Sequence, residues 1–228
     1  MISDLYINLM IILAFAGVLM AFLMWAVHSE QYKQYRIRTP KTYRIPKSKK
    51  YKNVALNMLQ SVIIIFGVLY TFQDFLVYED GTKEVSGILV LGEVLAALLL
   101  YDFLYYFMHR GSHNPKVMKF VHGTHHYVRF PTALESIYVH PIEGAAGLLL
   151  LMFSIGVVGP VSVLSMTIIF FIHTTVNILV HSNLELPHPI FRLFNFWALK
   201  HDIHHGKHLN KNYASIAPFW DFLFDTYG

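Results

Sequence analysis

The chain has 228 residues, a net charge of +4, 55% hydrophobic residues, 14% charged residues and no cysteine. Because soluble domains usually carry about 25% charged residues, this composition excludes an ordinary soluble protein and predicts one membrane-embedded domain over residues 1–228. The absence of cysteine excludes disulfides, iron–sulfur clusters and thiolate zinc sites, and it fits a site that faces a reducing compartment.

Apolar runs along the chain predict the membrane spans. A transmembrane helix needs about 20 apolar residues to cross roughly 30 Å of hydrocarbon. Segments 5–27, 54–77 and 87–109 meet this requirement, and each predicts one span. Residues 144–181 form an apolar hairpin interrupted at Gly159 and Pro160, which either crosses the membrane fully or re-enters part of the way. The predicted fold class is therefore an all-α integral membrane protein with four to five transmembrane helices.

The segment between the first two spans is strongly basic. Residues 28–53 contain nine lysines and arginines against the single acid Glu30. Such a run also occurs in nucleic-acid-binding proteins, but between two apolar segments it is typical of a cytoplasmic loop. We therefore predict no nucleic-acid partner, an outer loop at 79–86, and a cytosolic helical cap formed by 110–143 and 182–228.

Thirteen of the fourteen histidines follow residue 108, and their spacing is typical of metal ligands. One i, i+4 pair is followed by two copies of the pattern H-x-x-H-H. These histidines are His109, His113, His122, His125, His126, His201, His204 and His205. On a helix, residues at these spacings share one face, with Cβ atoms about 5–6 Å apart, so their rings converge readily on one ion. Imidazole binds iron, zinc and copper, and this set is too large for one ion but reasonable for two.

The third predicted span carries further polar residues on the histidine face. Asp102, Tyr106, His109 and His113 are separated by 4, 3 and 4 residues, so they form one stripe along a helix. A carboxylate within a span is costly and is by default a functional hypothesis. We predict that Asp102 orients a ligand histidine; the alternative is a buried acid paired with a tyrosine or another helix.

From about residue 102 to the C-terminus, the chain resembles the fatty acid hydroxylase superfamily, which includes sterol desaturases, C4-methyl sterol oxidases and sphingolipid fatty-acid hydroxylases. The motifs that carry the resemblance are, in order, DFLYYFMHRGSH, FVHGTHH, PTALESIYVHPIEG, VHSNLELP, HDIHHGKHLNKNYA and FWDFLFDTYG. The resemblance implies a bundle of transmembrane helices under the cap, with a two-metal site where they join. It also implies that His181 is a ligand, and it assigns His140 and Glu143 to an HP-x-E element of the sterol-oxidising branches.

One position departs from the family pattern. Asn177 stands where the fatty-acid hydroxylase branch has the first histidine of an H-x-x-x-H pair, so nine expected histidine ligands are one short of ten. The candidates for the tenth are His140, His173 and a water held by Asn177. We predict His140, because it lies at the cytoplasmic edge of its apolar run, with Glu143 close enough to orient a nearby imidazole. The predicted ligands are His109, His113, His122, His125, His126, His140, His181, His201, His204 and His205, and the predicted supporting residues are Asp102, Glu143, Asn177 and Asn212.

The resemblance implies a non-haem di-iron oxidoreductase that hydroxylates or desaturates a sterol, a fatty-acyl chain or a related membrane lipid, with O2 as co-substrate. Electrons would come from a separate protein of the cytochrome b5, ferredoxin or reductase type, because the chain has no flavin, haem or iron–sulfur motif. Zinc also accepts imidazole, so a catalytically silent, zinc-filled scaffold is one alternative. A metal transporter is another, but it would carry acids and histidines through the depth of its spans. The predicted location is the bacterial inner membrane or the endoplasmic reticulum, with the histidines on the cytoplasmic face.

Overall fold

The computed structural model describes residues 2–39, 45–78, 84–206 and 208–228, with side chains from Asp4 onward. Over these ranges the chain is helical, with two isolated bridges and no strand. The longer helices are α1 (Ile2–His28), α2 (Lys47–Leu76) and α3 (Gly87–Ser112). The remaining helices are α4 (Pro115–Val117), α5 (Gly123–His126), α6 (Pro141–Val158), α7 (Val163–Leu179), α8 (Arg192–Gly206) and α9 (Phe219–Leu223). The all-α prediction is confirmed.

Four of these helices, α1, α2, α3 and α6, are long and apolar enough to cross a membrane, and α7 is a shorter apolar helix. The predicted hairpin is α6 and α7, which are separated at Gly159, whose φ of 105° favours glycine. The second helix begins at Lys47, earlier than predicted, because lysine is a good helix former and extends the helix beyond the apolar run. Part of the predicted 79–86 loop lies outside the described residues.

The membrane helices pack into one bundle. Helix α6 contacts α2 and α3, and α7 contacts α1 and α3. Leu151, Ile155, Met166 and Ile169 meet in its centre with no exposed surface. Large apolar side chains also cover the outside of the bundle, as expected where helices face lipid rather than water.

The basic segment after α1 contacts the polar end of the bundle. Arg38 lies 3.0 Å from Asp202 of α8, and Lys50 pairs with the buried Glu135. Both acids belong to the two stretches predicted as the cap, 110–143 and 182–228. The basic segment therefore lies at the same end of the bundle as the histidine-rich segments.

Candidate metal centre

Nine histidines meet in two adjacent groups at this end of the bundle. Within each group, one nitrogen of every ring lies within 4.8 Å of the corresponding nitrogens of the others. The first group contains His109, His113, His122, His126 and His204. The second contains His125, His181, His201 and His205. Each copy of H-x-x-H-H thus contributes to both groups, which explains why the two copies occur together.

The local backbone places the two H-x-x-H-H copies differently. The second copy lies in the regular helix α8. The first lies where a π-helical turn, Met118–His122, continues into α5. A side chain at Gly123 would overlap the carbonyl oxygen of Met118, so glycine allows this turn to close.

Several rings are oriented by backbone carbonyls through Nδ1. His109 lies 2.8 Å from the oxygen of Tyr213, His204 2.6 Å from that of Lys211, and His181 2.9 Å from that of Asn177. A carbonyl only accepts, so each Nδ1 carries the proton and donates it. The Nε2 atom of each of these rings is therefore a bare acceptor.

Glu143, in the first turn of α6, orients His122. Its Oε1 lies 2.7 Å from Nδ1 of His122, while Nε2 of the same ring lies 3.1 Å from Nε2 of His113. A carboxylate behind a ligand histidine fixes the ring and increases its basicity. Glu143 therefore lies behind His122, one of the histidines predicted as ligands.

The spacing of the Nε2 atoms fits metal ions. Nε2 of His181 lies 3.3 Å from that of His125 and 2.9 Å from that of His201. Two imidazoles bound to one ion at about 2.1 Å and at right angles have nitrogens about 3 Å apart. Bare lone pairs repel at this distance, and a cation between them removes the repulsion. The donor set therefore fits two transition-metal ions.

Burial keeps the rings ready to bind metal. It lowers the pKa of His181 to about 4, and burial together with the neighbouring His122 lowers the pKa of His113 to about 3. Both imidazoles are therefore neutral at neutral pH, which is the form that binds a metal ion.

Three predicted site residues have other partners in the structure. His140 lies outside both groups, because its Nδ1 accepts the N–H of Ile142 and caps α6. Asp102 has no contact with a ligand histidine among the described residues, and its carboxylate instead accepts the backbone N–H groups of residues 215–217. The side chain of Asn212 bonds the backbone of Lys200 and Gly228.

Asn177 contacts the site through its backbone. Its backbone carbonyl orients His181, while its side chain lines a neighbouring cavity. His173, the other candidate for a tenth ligand, lies outside both histidine groups and bonds Tyr101 instead.

Asp102, Lys200 and Asp221 form a clamp that holds the loop at 211–217. Asp221 accepts the N–H groups of Tyr213 and Ala214, next to the three that Asp102 accepts. Lys200 lies 3.2 Å from Asp221 and donates to the carbonyl of Ala214. Through Ala214, these contacts fix the peptide whose carbonyl, that of Tyr213, orients His109. Asp221 belongs to the FWDFLFDTYG motif, which is the part of the sequence that indicates this clamp.

A cavity of about 370 Å³ adjoins the metal centre. It extends from His109, His125 and His201 into the bundle, between α1, α2, α3, α6 and α7. Most of its wall is apolar, and its volume lies in the range typical of ligand sites.

Removing the charge of Glu143 tests its role at His122. We expect Glu143→Gln to weaken metal retention roughly 10-fold and Glu143→Leu up to about 100-fold, because mutations behind a ligand histidine usually cost that much. Metal retention against a chelator measures the effect. Glu30→Gln is the control, because Glu30 pairs with Lys33 on the surface. Unchanged retention in Glu143→Leu would contradict the role.

Comparisons with known proteins show the family to which the chain belongs. The family model of fatty acid hydroxylases, described as "Fatty acid hydroxylase", matches residues 94–226. The chain is 28% identical to methylsterol monooxygenase 1 of Rattus norvegicus over 72% of this chain and 56% of the relative. It is 31% identical to sphinganine C4-monooxygenase 1 of Arabidopsis thaliana over 80% of this chain and 72% of the relative.

A third similar protein is a very-long-chain aldehyde decarbonylase of Oryza sativa subsp. indica. It is 33% identical over 67% of this chain and 62% of the relative. The match to the methylsterol monooxygenases thus spans little more than half of their length. No solved structure matches the chain significantly.

Proposed function

Because the chain belongs to the fatty acid hydroxylase family, we propose that it is a membrane oxidoreductase that uses O2 to oxidise a C–H bond of a lipid at two iron ions. The observation that carries the proposal is the position of the two histidine groups, which line the end of a largely apolar cavity within the helix bundle. A lipid chain in this cavity lies directly against the metal ligands.

Different residues bind the metal ions, orient the histidine rings and exclude water. Nine imidazoles hold the two ions, and Glu143 with the carbonyls of Lys211, Tyr213 and Asn177 fixes the rings. Bound iron would supply the oxidising chemistry that the side chains lack. The apolar cavity wall binds the lipid and keeps water from the reacting carbon.

The substrate class follows from the relatives and the cavity. The names of the relatives indicate a methylsterol, sphinganine and a very-long-chain aldehyde as substrates. All of these are lipids with a long apolar part. We therefore propose a membrane lipid as substrate of this chain, with hydroxylation or desaturation as the outcome.

Electrons for O2 reduction require a separate donor. The chain has no cysteine for an iron–sulfur cluster. We propose a cytochrome b5, ferredoxin or reductase type of partner, which would dock at the polar end of the bundle next to the metal centre.

Charge supports a cytoplasmic position for the metal centre. The ion pairs Arg38–Asp202 and Lys50–Glu135 tie the basic segment to the histidine end, and basic loops remain in the cytoplasm. We propose that the protein is a multi-pass protein of the bacterial inner membrane or the endoplasmic reticulum, with the cap in the cytosol.

Cysteine labelling tests this orientation, and the native chain has no cysteine to interfere. When the chain is expressed in a bacterial inner membrane, a membrane-impermeant maleimide added to intact cells should label Glu84→Cys from the periplasmic side. Lys49→Cys should react only after permeabilisation. Both positions are exposed, so access depends on the side of the membrane. Labelling of Lys49→Cys before permeabilisation would overturn the topology.

Lipid analysis tests the function itself. Cells that express the wild-type chain or His125→Ala are grown under oxygen-18 gas, and their lipids are compared by mass spectrometry. The wild type should yield lipids that carry oxygen-18 in a new hydroxyl, or that have lost two hydrogens, and His125→Ala should yield neither. Identical lipids in the two strains, with metal retained by the wild type, would instead favour a silent metal-binding scaffold.

A further inference from the structure

The helices that line the cavity next to the metal centre differ in polarity. Helix α1 contributes only apolar side chains and a glycine, at Leu13, Ala16, Gly17 and Met20. The wall formed by α3 and α7 contains residues with hydroxyl, imidazole and amide groups, at Tyr101, Tyr105, His173, Thr174 and Asn177. A site for an unsubstituted alkyl chain does not require polar side chains in its wall, because polar groups are costly to bury unless they are hydrogen-bonded.

The deeper part of this wall contains a hydrogen-bonded pair. Nε2 of His173 lies 3.0 Å from the hydroxyl of Tyr101, and the two rings meet edge to face at 5.0 Å. Tyr101 precedes the ligand His109 by eight residues, and His173 precedes the ligand His181 by the same number. At 1.5 Å per residue, both helices place the pair about 12 Å along their axes from the metal ligands.

The metal centre does not explain this pair. His173 lies outside both histidine groups, and an ionisable residue within an apolar helix is usually functional. Another hydrogen bond, from Asn8 to Thr167 at 3.1 Å, joins α1 to α7 without lining the cavity. Helix packing therefore accounts for that bond, whereas the Tyr101–His173 pair faces the space in which substrate would lie.

The pair also has unused hydrogen-bonding capacity. Among the described residues, Nδ1 of His173 has no hydrogen-bond partner, and it is not fully enclosed by protein. If Tyr101 donates to Nε2, Nδ1–H is free to donate to a ligand. If Nε2–H donates to Tyr101, the tyrosine hydroxyl donates to the side chain of Ser215, its second partner, and Nδ1 of His173 is left to accept from a ligand. Either arrangement suits a hydroxyl group on a lipid.

We propose that Tyr101 and His173 form a specificity-determining subsite that binds a hydroxyl group of the lipid substrate about 12 Å from the metal-binding histidines. The proposal rests on the function proposed above, because it assigns the cavity to the substrate. The subsite would select a lipid with a polar group partway along its length, and it would set which carbon reaches the metal ions. Tyr101 and His173 act in binding and position, not in the oxidation itself.

Three matched probes test the subsite with the purified, metal-loaded protein in detergent. They are stearic acid, 12-hydroxystearic acid and 3-hydroxystearic acid, and calorimetric titration gives their dissociation constants. With the carboxylate at the polar end of the cavity, only the hydroxyl at carbon 12 reaches the pair. We expect 12-hydroxystearic acid to bind roughly 2- to 10-fold more tightly than the other two probes, as one net hydrogen bond provides.

Variants test whether the preference for 12-hydroxystearic acid depends on Tyr101 and His173. His173→Leu and Tyr101→Phe should each remove the preference, and Thr167→Val should retain it, because Thr167 supports a helix contact outside the cavity. Tyr101→Phe preserves the ring and removes only the hydroxyl, so it decides the question if His173→Leu loses metal. Equal binding of the three probes by the wild type, or a preference that survives in metal-loaded Tyr101→Phe, would overturn the subsite.

The lipid analysis separates this inference from the function on which it rests. A wild-type chain that oxidises lipids but binds the three probes equally would refute the subsite alone. A wild-type chain that prefers the 12-hydroxy probe but gives no O2-dependent lipid product would refute the oxidation and retain the subsite.

Discussion

Replacing His125 with alanine is expected to lower the metal content of the purified protein from about two ions per chain to about one, and to abolish lipid oxidation. Nε2 of His125 lies 3.3 Å from that of His181 and 3.1 Å from that of His205, so its ring is central to the four-histidine group. Three histidines remain in this group after the change, and water can enter the space that the imidazole ring of His125 occupied. The five-histidine group keeps all its members.

Elemental analysis by mass spectrometry measures this loss, and His204→Ala extends it to the five-histidine group. The matched control is His28→Ala, because His28 is exposed and its Nδ1 bonds a carbonyl of its own helix. The control should keep both ions and full activity. Retention of two ions by His125→Ala would contradict the assignment of the four-histidine group.

Replacing Gly123 with alanine is expected to displace the first H-x-x-H-H motif and to empty both metal sites. The new methyl group would overlap the backbone oxygen of Met118, which cannot rotate away as a side chain can. Overpacking of this kind typically costs about 1–3 kcal/mol of the free energy of unfolding. Because His122 and His126 belong to one group and His125 to the other, a shift of this backbone affects both ions.

Metal content and thermal unfolding of Gly123→Ala measure the effect. Gly92→Ala is the control, since Gly92 lies within α3 with no heavy atom near the added methyl group. Alanine should stabilise that helix by about 0.5–1 kcal/mol. Normal metal content and an unchanged Tm in Gly123→Ala would show that the π-helical turn tolerates a side chain and would contradict this account.

The sequence predicted the apolar helices and the clustering of the histidines because both depend on residue type and spacing. Helices α1 and α3 end within a few residues of the predicted bounds, since each coincides with an apolar run. Nine of the ten histidines predicted as ligands lie in the two groups, because ligand spacing is periodic on a helix. Glu143 was found through the HP-x-E element.

Contacts made by backbone atoms could not be predicted from the sequence. Three rings are oriented by the carbonyls of Lys211, Tyr213 and Asn177. Every residue has a backbone carbonyl, so the residue type does not show which carbonyls orient a ring. Asp102 was expected to face a histidine on its stripe, but the C-terminal loop at 215–217 packs there and uses its carboxylate. The stripe gives only the helix face on which Asp102 lies, and a loop distant in sequence determines its partner.

Anomalous diffraction at the iron absorption edge, from crystals of the iron-loaded protein, tests directly whether the nine histidines bind two metal ions. We predict two anomalous peaks, one surrounded by His109, His113, His122, His126 and His204, and the other by His125, His181, His201 and His205. His140 should contribute to neither. A single peak, or none with the nine rings still in place, would contradict a two-metal centre and with it the proposed oxidation.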